Sequence, residues 1–291
     1  LRDISFNDFS SVAEARQTIF DAIVQYRKIK NQGVVAVFKR DRFDKYSNFA
    51  RIGSGSMGGK ARGLAFLSAL IKRNTPLEYF EQHNVQVSLP KTVVLCTDIF
   101  DEFMEQNNLY PIALSDVPDD EILEHFLKAQ FPTQYNEDFV ALFQAFGKPV
   151  AVRSSSLLED SYYQPFAGIY STYMIPYDEN NVDNMLCSRT DGIKYVYAAV
   201  FYKASKVYMH ATSNVIDSYK LGMVLQEIVG EKHGDRYYSS FSGVARSINF
   251  YPLGAEKPED GVANIALGLG KYVVDGGKSL RFSPKYPENI L

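Results

Sequence analysis

The stretch Val150-Ala151-Val152-Arg153-Ser154-Ser155-Ser156 decides how the rest of this sequence is interpreted. Its apolar β-branched residues predict a strand, and the arginine places a guanidinium at the end of that strand. A guanidinium held this way can bind a phosphate through two parallel hydrogen bonds, with the serines as further donors. Taken alone, the pattern also suits a surface arginine paired with Glu159 or Asp160. A phosphate site therefore needs support from elsewhere in the chain.

A glycine-rich loop supplies a second segment with phosphate-binding chemistry. It reads Gly53-Ser54-Gly55-Ser56-Met57-Gly58-Gly59-Lys60 and precedes a helix predicted over residues 61–71. Small residues leave backbone N–H groups accessible, the helix dipole points its positive end at the loop, and Lys60 adds a cation. We expect a phosphate there. A flexible linker that happens to precede a helix is the alternative.

Two standard nucleotide motifs were compared with this loop. Gly53-x-Gly55-x-x-Gly58 fits the dinucleotide fingerprint, with Glu78 at a suitable distance, but residues 46–51 make a poor buried strand, which that fingerprint requires. The Walker A loop fails because Ser54 replaces its first glycine and Ala61 replaces its metal-binding hydroxyl residue. Neither motif is predicted.

Periodicity elsewhere predicts a mixture of helices and strands. Helices are expected over residues 1–32, 98–107 (with Asp98 as N-cap), most of 111–148, and 190–212; strands are expected over 34–38, 85–87, 92–95, 150–152, 223–229 and 242–250. This mixture indicates an α+β or α/β fold without fixing its topology.

Composition excludes several classes of protein. The net charge of −3 gives no general basic surface, so no nucleic acid partner is expected. The two cysteines, Cys96 and Cys187, form neither a metal-ligand spacing nor a disulfide framework, which suits a cytoplasmic location. No apolar run approaches the roughly 20 residues that span a bilayer, so no membrane association is expected. Because the sequence starts without Met, we expect a piece of a longer chain.

Five segments, in order, resemble the ATP-binding domain of the phosphoenolpyruvate synthase and pyruvate phosphate dikinase family. Together they cover roughly residues 51–283. They are the opening Gly58-Gly59-Lys60-Ala61-Arg62-Gly63-Leu64; the arginine strand Val150-Ala151-Val152-Arg153-Ser154-Ser155, followed by Glu159-Asp160; the phosphate-covering loop Phe166-Ala167-Gly168 with Thr172; the adenine strand Val224-Leu225-Gln226-Glu227-Ile228-Val229; and the later glycine loop Gly268-Leu269-Gly270 with Val273, Val274 and Gly276.

The resemblance implies an α+β, ATP-grasp fold with two lobes and the nucleotide site between them. It implies an N-terminal extension (1–50, helix plus short strand), an N-terminal lobe with the phosphate loops (51–215) and a partial C-terminal lobe with the adenine hinge (216–291). Lys60 and Arg153 become the implied catalytic residues. The implied ATP-binding residues are Gly58, Gly59, Lys60, Arg153, Ala167, Gly168, Thr172, Gln226, Glu227 and Val229.

By the same resemblance, the intact enzyme uses ATP and Mg²⁺ to phosphorylate a histidine in another domain and then pyruvate, releasing AMP. Its partners would be the phosphohistidine domain and the pyruvate- or phosphoenolpyruvate-binding domain of the same full-length chain, and a homodimer is left open. A related dikinase with a glucan or antibiotic acceptor, or a non-catalytic regulatory module that retains the fold, is the alternative.

The sequence departs from the family in three respects. Arg246 is a charge where the family has an apolar residue. Residues 281–291 do not supply the family's acidic magnesium ligand or its Gln and Arg, so metal ligands are expected downstream of this fragment. The four histidines, His83, His125, His210 and His233, lie in no matching motif. We therefore expect weak nucleotide binding and no complete reaction cycle from this chain alone.

Overall fold

The computed structural model describes residues 9, 11–30, 35–40, 48–73, 76–156, 172–177, 182–211, 220–274 and 276–289. The helices are α1 Val12–Lys30, α2 Gly58–Arg73, α3 Pro76–Gln82, α4 Thr97–Gln106, α5 Tyr110–Ala113, α6 Asp119–Lys128, α7 Asn136–Ala145, α8 Val182–Ala199, α9 Lys203–Ala211 and α10 Lys271–Val274. The strands are β1 Ala36–Val37, β2 Phe49–Ile52, β3 Thr92–Leu95, β4 Val150–Ser156, β5 Tyr173–Ile175, β6 Leu221–Glu227, β7 Glu231–His233, β8 Arg236–Tyr238, β9 Phe241–Arg246, β10 Val262–Leu267 and β11 Leu280–Phe282.

The chain divides into two compact units, Leu1–Glu227 (unit 1) and Ile228–Leu291 (unit 2). Both mix helices with strands, which confirms the α+β class. The boundaries expected at residues 50 and 215 stay predictions. In the part of the chain that the structure describes, no helix is both long and apolar enough to cross a bilayer.

Unit 1 is built on a six-stranded mixed sheet with the strand order β1-β2-β3-β6-β4-β5. The first three strands run parallel, and β6 pairs antiparallel with both β3 and β4. The segment β2–α2–α3–β3 is a crossover between parallel strands, which requires a connection of a dozen or more residues. The glycine loop, which follows β2, therefore lies in the same sheet region as β6 and β4, strands that are distant in sequence.

Helices cover both faces of the sheet, so its central strands are apolar on each side. Val93 and Leu95 of β3 pack in the larger core with helices α4 to α9, whereas Val94 packs with Ala61 of α2 and Val224 of β6. All four residues of β3 are buried, as expected for a strand covered on both faces. The alternation of side chains along each strand thus decides which residues face α2.

Aromatic rings fill the larger core. The ring of Tyr197 packs edge-on against Phe100 at 4.9 Å between centroids and lies 5.6 Å from Phe103. Full burial of a ring of this size contributes roughly 1.5–3 kcal/mol. These contacts fix α4 and α8 on one side of the sheet, which holds the start of α4 at the edge where β2 and β3 end.

Unit 2 contains a three-stranded antiparallel sheet, β11-β10-β9, and the hairpin β7–β8. Helix α10 packs against β9 and β10. The hairpin turns at Gly234, whose φ of +65° lies in the left-handed region that suits tight two-residue turns.

Two sequence predictions of elements need correction, and a third is confirmed in part. Residues 85–87 form no strand. The helix expected over 190–212 is two helices, α8 and α9, because Asp119 accepts a hydrogen bond from the N–H of Lys203 (2.8 Å) and so starts a new helix there. The helix expected over 1–32 is confirmed over Val12–Lys30, and residues 1–8 lie outside the described residues.

Candidate functional site

The strand before the glycine loop is buried, contrary to the sequence prediction. Strand β2 pairs in parallel with β1 and β3, and Phe49, Ala50 and Ile52 are all buried. The prediction that residues 46–51 make a poor buried strand is therefore wrong where the structure describes them. Ala50 escaped detection because its small side chain carries little hydrophobic signal. The lack of a preceding buried strand therefore no longer argues against a dinucleotide fingerprint.

The hydrogen bonds of the loop nevertheless argue against that fingerprint. The N–H of Ser54 donates to Asp98 Oδ2 at 2.6 Å, and the Ser54 hydroxyl donates to the same oxygen at 3.0 Å. The N–H of Ser56 donates to the Thr97 hydroxyl (3.0 Å), and that of Gly58 to the Ser56 hydroxyl (3.2 Å). The expectation that these N–H groups are accessible to phosphate is wrong, because the protein's own side chains occupy them.

Asp98 is the anion of this loop. Partial burial of its carboxyl opposes ionisation, but hydrogen bonds from Ser54 and Gly55 outweigh that effect and lower the pKa of Asp98. Its predicted role as N-cap is also wrong, because Cys96 is the N-cap residue of α4. Asp98 instead ties the loop to the first turn of α4.

Helix α2 begins at Gly58 rather than at residue 61. Only glycine fits at position 58. Gly58 has a φ of +73°, and a Cβ on it would lie 1.6 Å from the carbonyl oxygen of Ser155 in β4. A Cβ on Gly222 of β6 would likewise meet the Met57 carbonyl oxygen at 2.7 Å. Both glycines allow the loop to pack directly on the sheet. Lys60 consequently lies in the first turn of α2, close to β4.

The serines of β4 hold this helix rather than projecting into open space. Ser154, Ser155 and Ser156 are buried, and the hydroxyl of Ser155 accepts a hydrogen bond from the N–H of Ala61 at 3.0 Å. That N–H is one of those that a helix leaves unpaired at its start. Ser155 therefore caps α2 from the sheet, and its role as a donor to a ligand stays a prediction.

Lys60 and Arg153 line one pocket. The pocket has a volume of about 240 Å³ and is also lined by Gly63, Leu64, Leu67 and Val224. Arg153 of β4 pairs directly with Val224 of β6, which places both side chains toward α2. The Lys60 ammonium lies 3.5 Å from the Ser154 hydroxyl. Two cations and an apolar wall thus share one opening.

The side chain of Arg153 makes no ion pair or hydrogen bond with the described residues. Its alternative partners, Glu159 and Asp160, lie outside them. Arg153 is half-buried and lines the pocket.

The remaining expected ATP-binding residues are dispersed. Gln226 donates from Nε2 to the Thr92 hydroxyl (3.0 Å), and Glu227 ends β6 with its N–H bonded to the Lys91 carbonyl (2.9 Å). Val229 is exposed in unit 2, and Thr172 is exposed just before β5. Gly59 is buried in the first turn of α2. Ala167 and Gly168 lie outside the described residues, so the structure assigns them no place.

Sequence reasoning missed Gly222 as part of this site, and it gave other roles to Asp98 (an N-cap), Ser155 (a phosphate donor) and Val224 (the adenine strand). Asp98 follows a buried strand and a Thr, which is a signal for an edge-of-sheet carboxylate. Finding the other three requires the register of β4 on β6, in which Ser155 opposes Gly222 and Arg153 opposes Val224. Short segments do not encode that pairing.

No group of three or more His, Cys, Asp or Glu side chains within the described ranges could hold a metal ion. The residues present there do not fit a magnesium site, so no chemical step is assigned to one.

Comparison with known families finds one match. The family model described as pyruvate phosphate dikinase, AMP/ATP-binding domain, matches residues 54–287. The chain therefore belongs to that family and is an ATP/AMP-binding module related to phosphotransferases. No curated protein matches it.

Proposed function

We propose that this chain binds ATP, with the phosphate chain at Lys60 and Arg153, as the nucleotide module of a dikinase. In that enzyme ATP phosphorylates a histidine of another domain, which passes the group to pyruvate, and AMP is released. The observation that carries the proposal is the shared pocket of Lys60 and Arg153. Family membership supports the nucleotide as its ligand.

Electrostatics favour a polyphosphate in this pocket. The guanidinium of Arg153 offers paired N–H donors to phosphate oxygens, and the Lys60 ammonium adds a compact charge. The first turn of α2 contributes the positive end of a helix of 16 residues. Phosphoryl transfer depends mainly on neutralising and aligning the phosphates, which is the work that these groups can perform.

The adenine would lie against the end of β6. Backbone groups at Gln226, Glu227 and Val229 would read its edge, as the family resemblance implies. Because the N–H of Glu227 is bonded to the Lys91 carbonyl, the carbonyl of Glu227 would be the group used at that residue. The hydrogen bond from Gln226 to Thr92 supports this assignment, because it fixes the side chain and leaves recognition to the backbone. Mg²⁺, when bound, supplies further charge neutralisation, and its ligands are expected outside this chain.

Substitution of Arg153 tests the proposal. Arg153→Ala removes the guanidinium, and we expect ATP affinity, measured by calorimetry, to fall about 10- to 100-fold because charge-assisted hydrogen bonds contribute roughly 1.5–3 kcal/mol. Arg62→Ala is the matched control, since Arg62 is exposed on α2 and does not line the pocket. Equal ATP affinities in both variants would refute the site.

The two alternative functions make different predictions. If the unmodified chain shows no ATP binding, the non-catalytic regulatory module is favoured, although the pairing of Lys60 with Arg153 in one pocket argues against it. If ATP binds, a chain that also carries the histidine domain is incubated with ATP and either pyruvate, a glucan or an antibiotic. Product detection by mass spectrometry then identifies the acceptor.

A further inference from the structure

We propose that unit 2 carries its own binding site for a flat-ring anion, centred on Arg246. A pocket of about 400 Å³ lies over the β9–β10–β11 sheet. This volume is within the roughly 300–1,000 Å³ typical of small-molecule sites. The lining residues are Val244, Arg246, Ile248, Asn249, Phe250, Tyr251, Val262, Asn264, Val273, Val274 and Arg281.

Strand register builds the floor of this pocket. Arg246 opposes Val262, Val244 opposes Asn264, and Asn264 opposes Arg281 on the next strand. Directly opposed residues in a sheet project from the same face, so these side chains form two adjoining rows. The floor therefore consists of two valines, two guanidinium groups and one amide.

The two arginines differ in charge balance. Arg281 donates to both carboxylate oxygens of Glu256, at 3.1 and 2.8 Å, and to the Tyr251 carbonyl at 3.2 Å. The side chain of Arg246 has no hydrogen bond or ion pair with any residue in the described ranges. The pocket thus carries one positive charge that the described residues do not match. A guanidinium binds phosphate or carboxylate through paired hydrogen bonds.

The wall of the pocket is held in place before any ligand arrives. Asn249 is buried, accepts a hydrogen bond from the N–H of Tyr251 (3.1 Å) and donates to Glu256 (2.9 Å). Glu256 also accepts from the N–H of Leu253 at 2.9 Å. A loop fixed in this way loses little entropy when a ligand binds.

This ordered loop exposes two aromatic rings at the rim. Phe250 is 69% exposed and Tyr251 is 84% exposed, and both line the pocket. Exposed rings on a fixed loop beside a cation suit a ligand with a flat apolar face and an anionic group. The chemistry is that of a phosphate or carboxylate carried on an aromatic or heteroaromatic ring.

Titration of the 291-residue chain with ring anions tests this site. Phenyl phosphate and benzoate are the probes, all followed by ligand-observed NMR. Phenol and inorganic phosphate are the separate halves of the first, and phenol and acetate are the ring and carboxylate controls for the second. We expect the better probe to bind at least about tenfold more tightly than either half, because ring and anion act together. The stronger of the two probes identifies the anionic group. Halves that bind as tightly as the whole probes would overturn the proposal.

Variants locate the binding. Arg246→Met keeps the length of the side chain and should lower probe affinity about tenfold or more, with Arg246→Lys between it and the natural chain. Arg236→Met removes another exposed arginine of unit 2, outside the pocket, and should change nothing. Tyr251→Ala, at an exposed position that folding tolerates, should weaken binding several-fold.

Arg153→Met separates this site from the ATP pocket. Probe binding that survives Arg153→Met and is lost in Arg246→Met supports the proposal whether or not ATP binds at Lys60 and Arg153. Binding that is lost in Arg153→Met, or that is equal in the Arg246→Met and Arg236→Met variants, overturns it.

Discussion

At the scale of single residues, Gly58 is the position with the least space in the site. A Cβ there would overlap the Ser155 carbonyl, and the φ of +73° is unfavourable for any side chain. We expect Gly58→Ala to lower the free energy of unfolding by about 2–5 kcal/mol, from backbone strain and overpacking together. Urea unfolding measures this change.

Gly63→Ala is the matched control on the same helix. No atom lies within 4 Å of a Cβ at Gly63, so alanine should be neutral or stabilise by up to about 1 kcal/mol. If both variants lost a similar free energy of unfolding, the close contact of Gly58 with β4 would not be the reason that position 58 requires glycine.

Arg189 is a second residue on which unit 1 depends. It is fully buried and donates to the carbonyls of Phe143 (2.5 Å) and Phe146 (3.4 Å) at the end of α7. Burial lowers the pKa of Arg189, but its hydrogen bonds compensate part of the lost hydration. Its guanidinium carbon also lies over the Phe143 ring, 5.3 Å from the centroid.

We expect Arg189→Met to destabilise the protein by about 2–4 kcal/mol, because two buried carbonyls lose their donor while the volume is kept. Arg62→Met, at an exposed position, should stay within about 0.5 kcal/mol of the natural chain. A calorimetric melt compares them, and an Arg189→Met protein as stable as Arg62→Met would contradict the assigned role.

At the scale of elements, the glycine loop and α4 behave as one piece because Asp98 joins them. Asp98→Ala leaves the N–H of Ser54 without its acceptor, so we expect a loss of about 1–2 kcal/mol at pH 7 and faster amide exchange at Ser54. Glu105→Ala, exposed on the same helix, is the control.

The pH dependence of this effect has a definite sign. The pKa of Asp98 is lowered in the folded state, so its contribution is fully present above the unfolded value of about 4. It is lost as the pH falls through the lowered pKa. The difference between the Asp98→Ala variant and the natural chain should therefore shrink below about pH 4. A difference that stays constant to pH 2 would contradict the role of the ionised carboxylate.

Elements were predictable from sequence where side chains alternate clearly. Val150–Val152 and Thr92–Leu95 are strands as expected, since apolar β-branched residues favour a buried strand. Residues 85–87 also alternate but lack a partner strand among the described residues, and alternation alone does not supply one. The start of α2 was missed because three glycine and lysine positions suggest a loop, whereas contacts with β4 stabilise them as helix.

At the scale of the whole molecule, unit 2 depends on Glu256. The hydrogen bonds from Arg281, and then from Leu253 and Asn249, lower the pKa of Glu256 to about 2. We expect Glu256→Gln to reduce protection from hydrogen exchange in the loop of residues 247–257 at pH 7, measured by mass spectrometry. Unit 1 should keep its protection. Glu288→Gln, at an exposed position of unit 2, is the control.

The stability that the Glu256 carboxylate gives to unit 2 depends on pH. Its stabilisation is present above the unfolded pKa of about 4.3 and is lost as the pH falls toward 2. The difference in Tm between Glu256→Gln and the natural chain should narrow across that window. A Tm difference of the same size at pH 7 and pH 2 would exclude an electrostatic origin.

The topology of unit 1 could not be predicted from the sequence. Strand β6 lies between β3 and β4, although more than a hundred residues separate it from β3. Lys60 and Arg153 were linked only through a family resemblance, because their meeting depends on α2 crossing β4 and β6. Packing of elements distant in the chain determines which residues meet in the site, whereas local sequence patterns indicate which residue types can bind phosphate.

The carboxylate of Asp98 has a consequence for where an anion can bind along the glycine loop. This carboxylate accepts the hydrogen bond from the loop N–H of Ser54 that a bound phosphate could otherwise accept, and it lies 44 residues further along the chain. Because it is ionised at neutral pH, it also repels any incoming anion from that end of the loop. The glycines there serve architecture, and phosphate is left to the end of the loop where Lys60 lies. In this chain Asp98 thus separates the structural end of the glycine loop from the end proposed to bind phosphate.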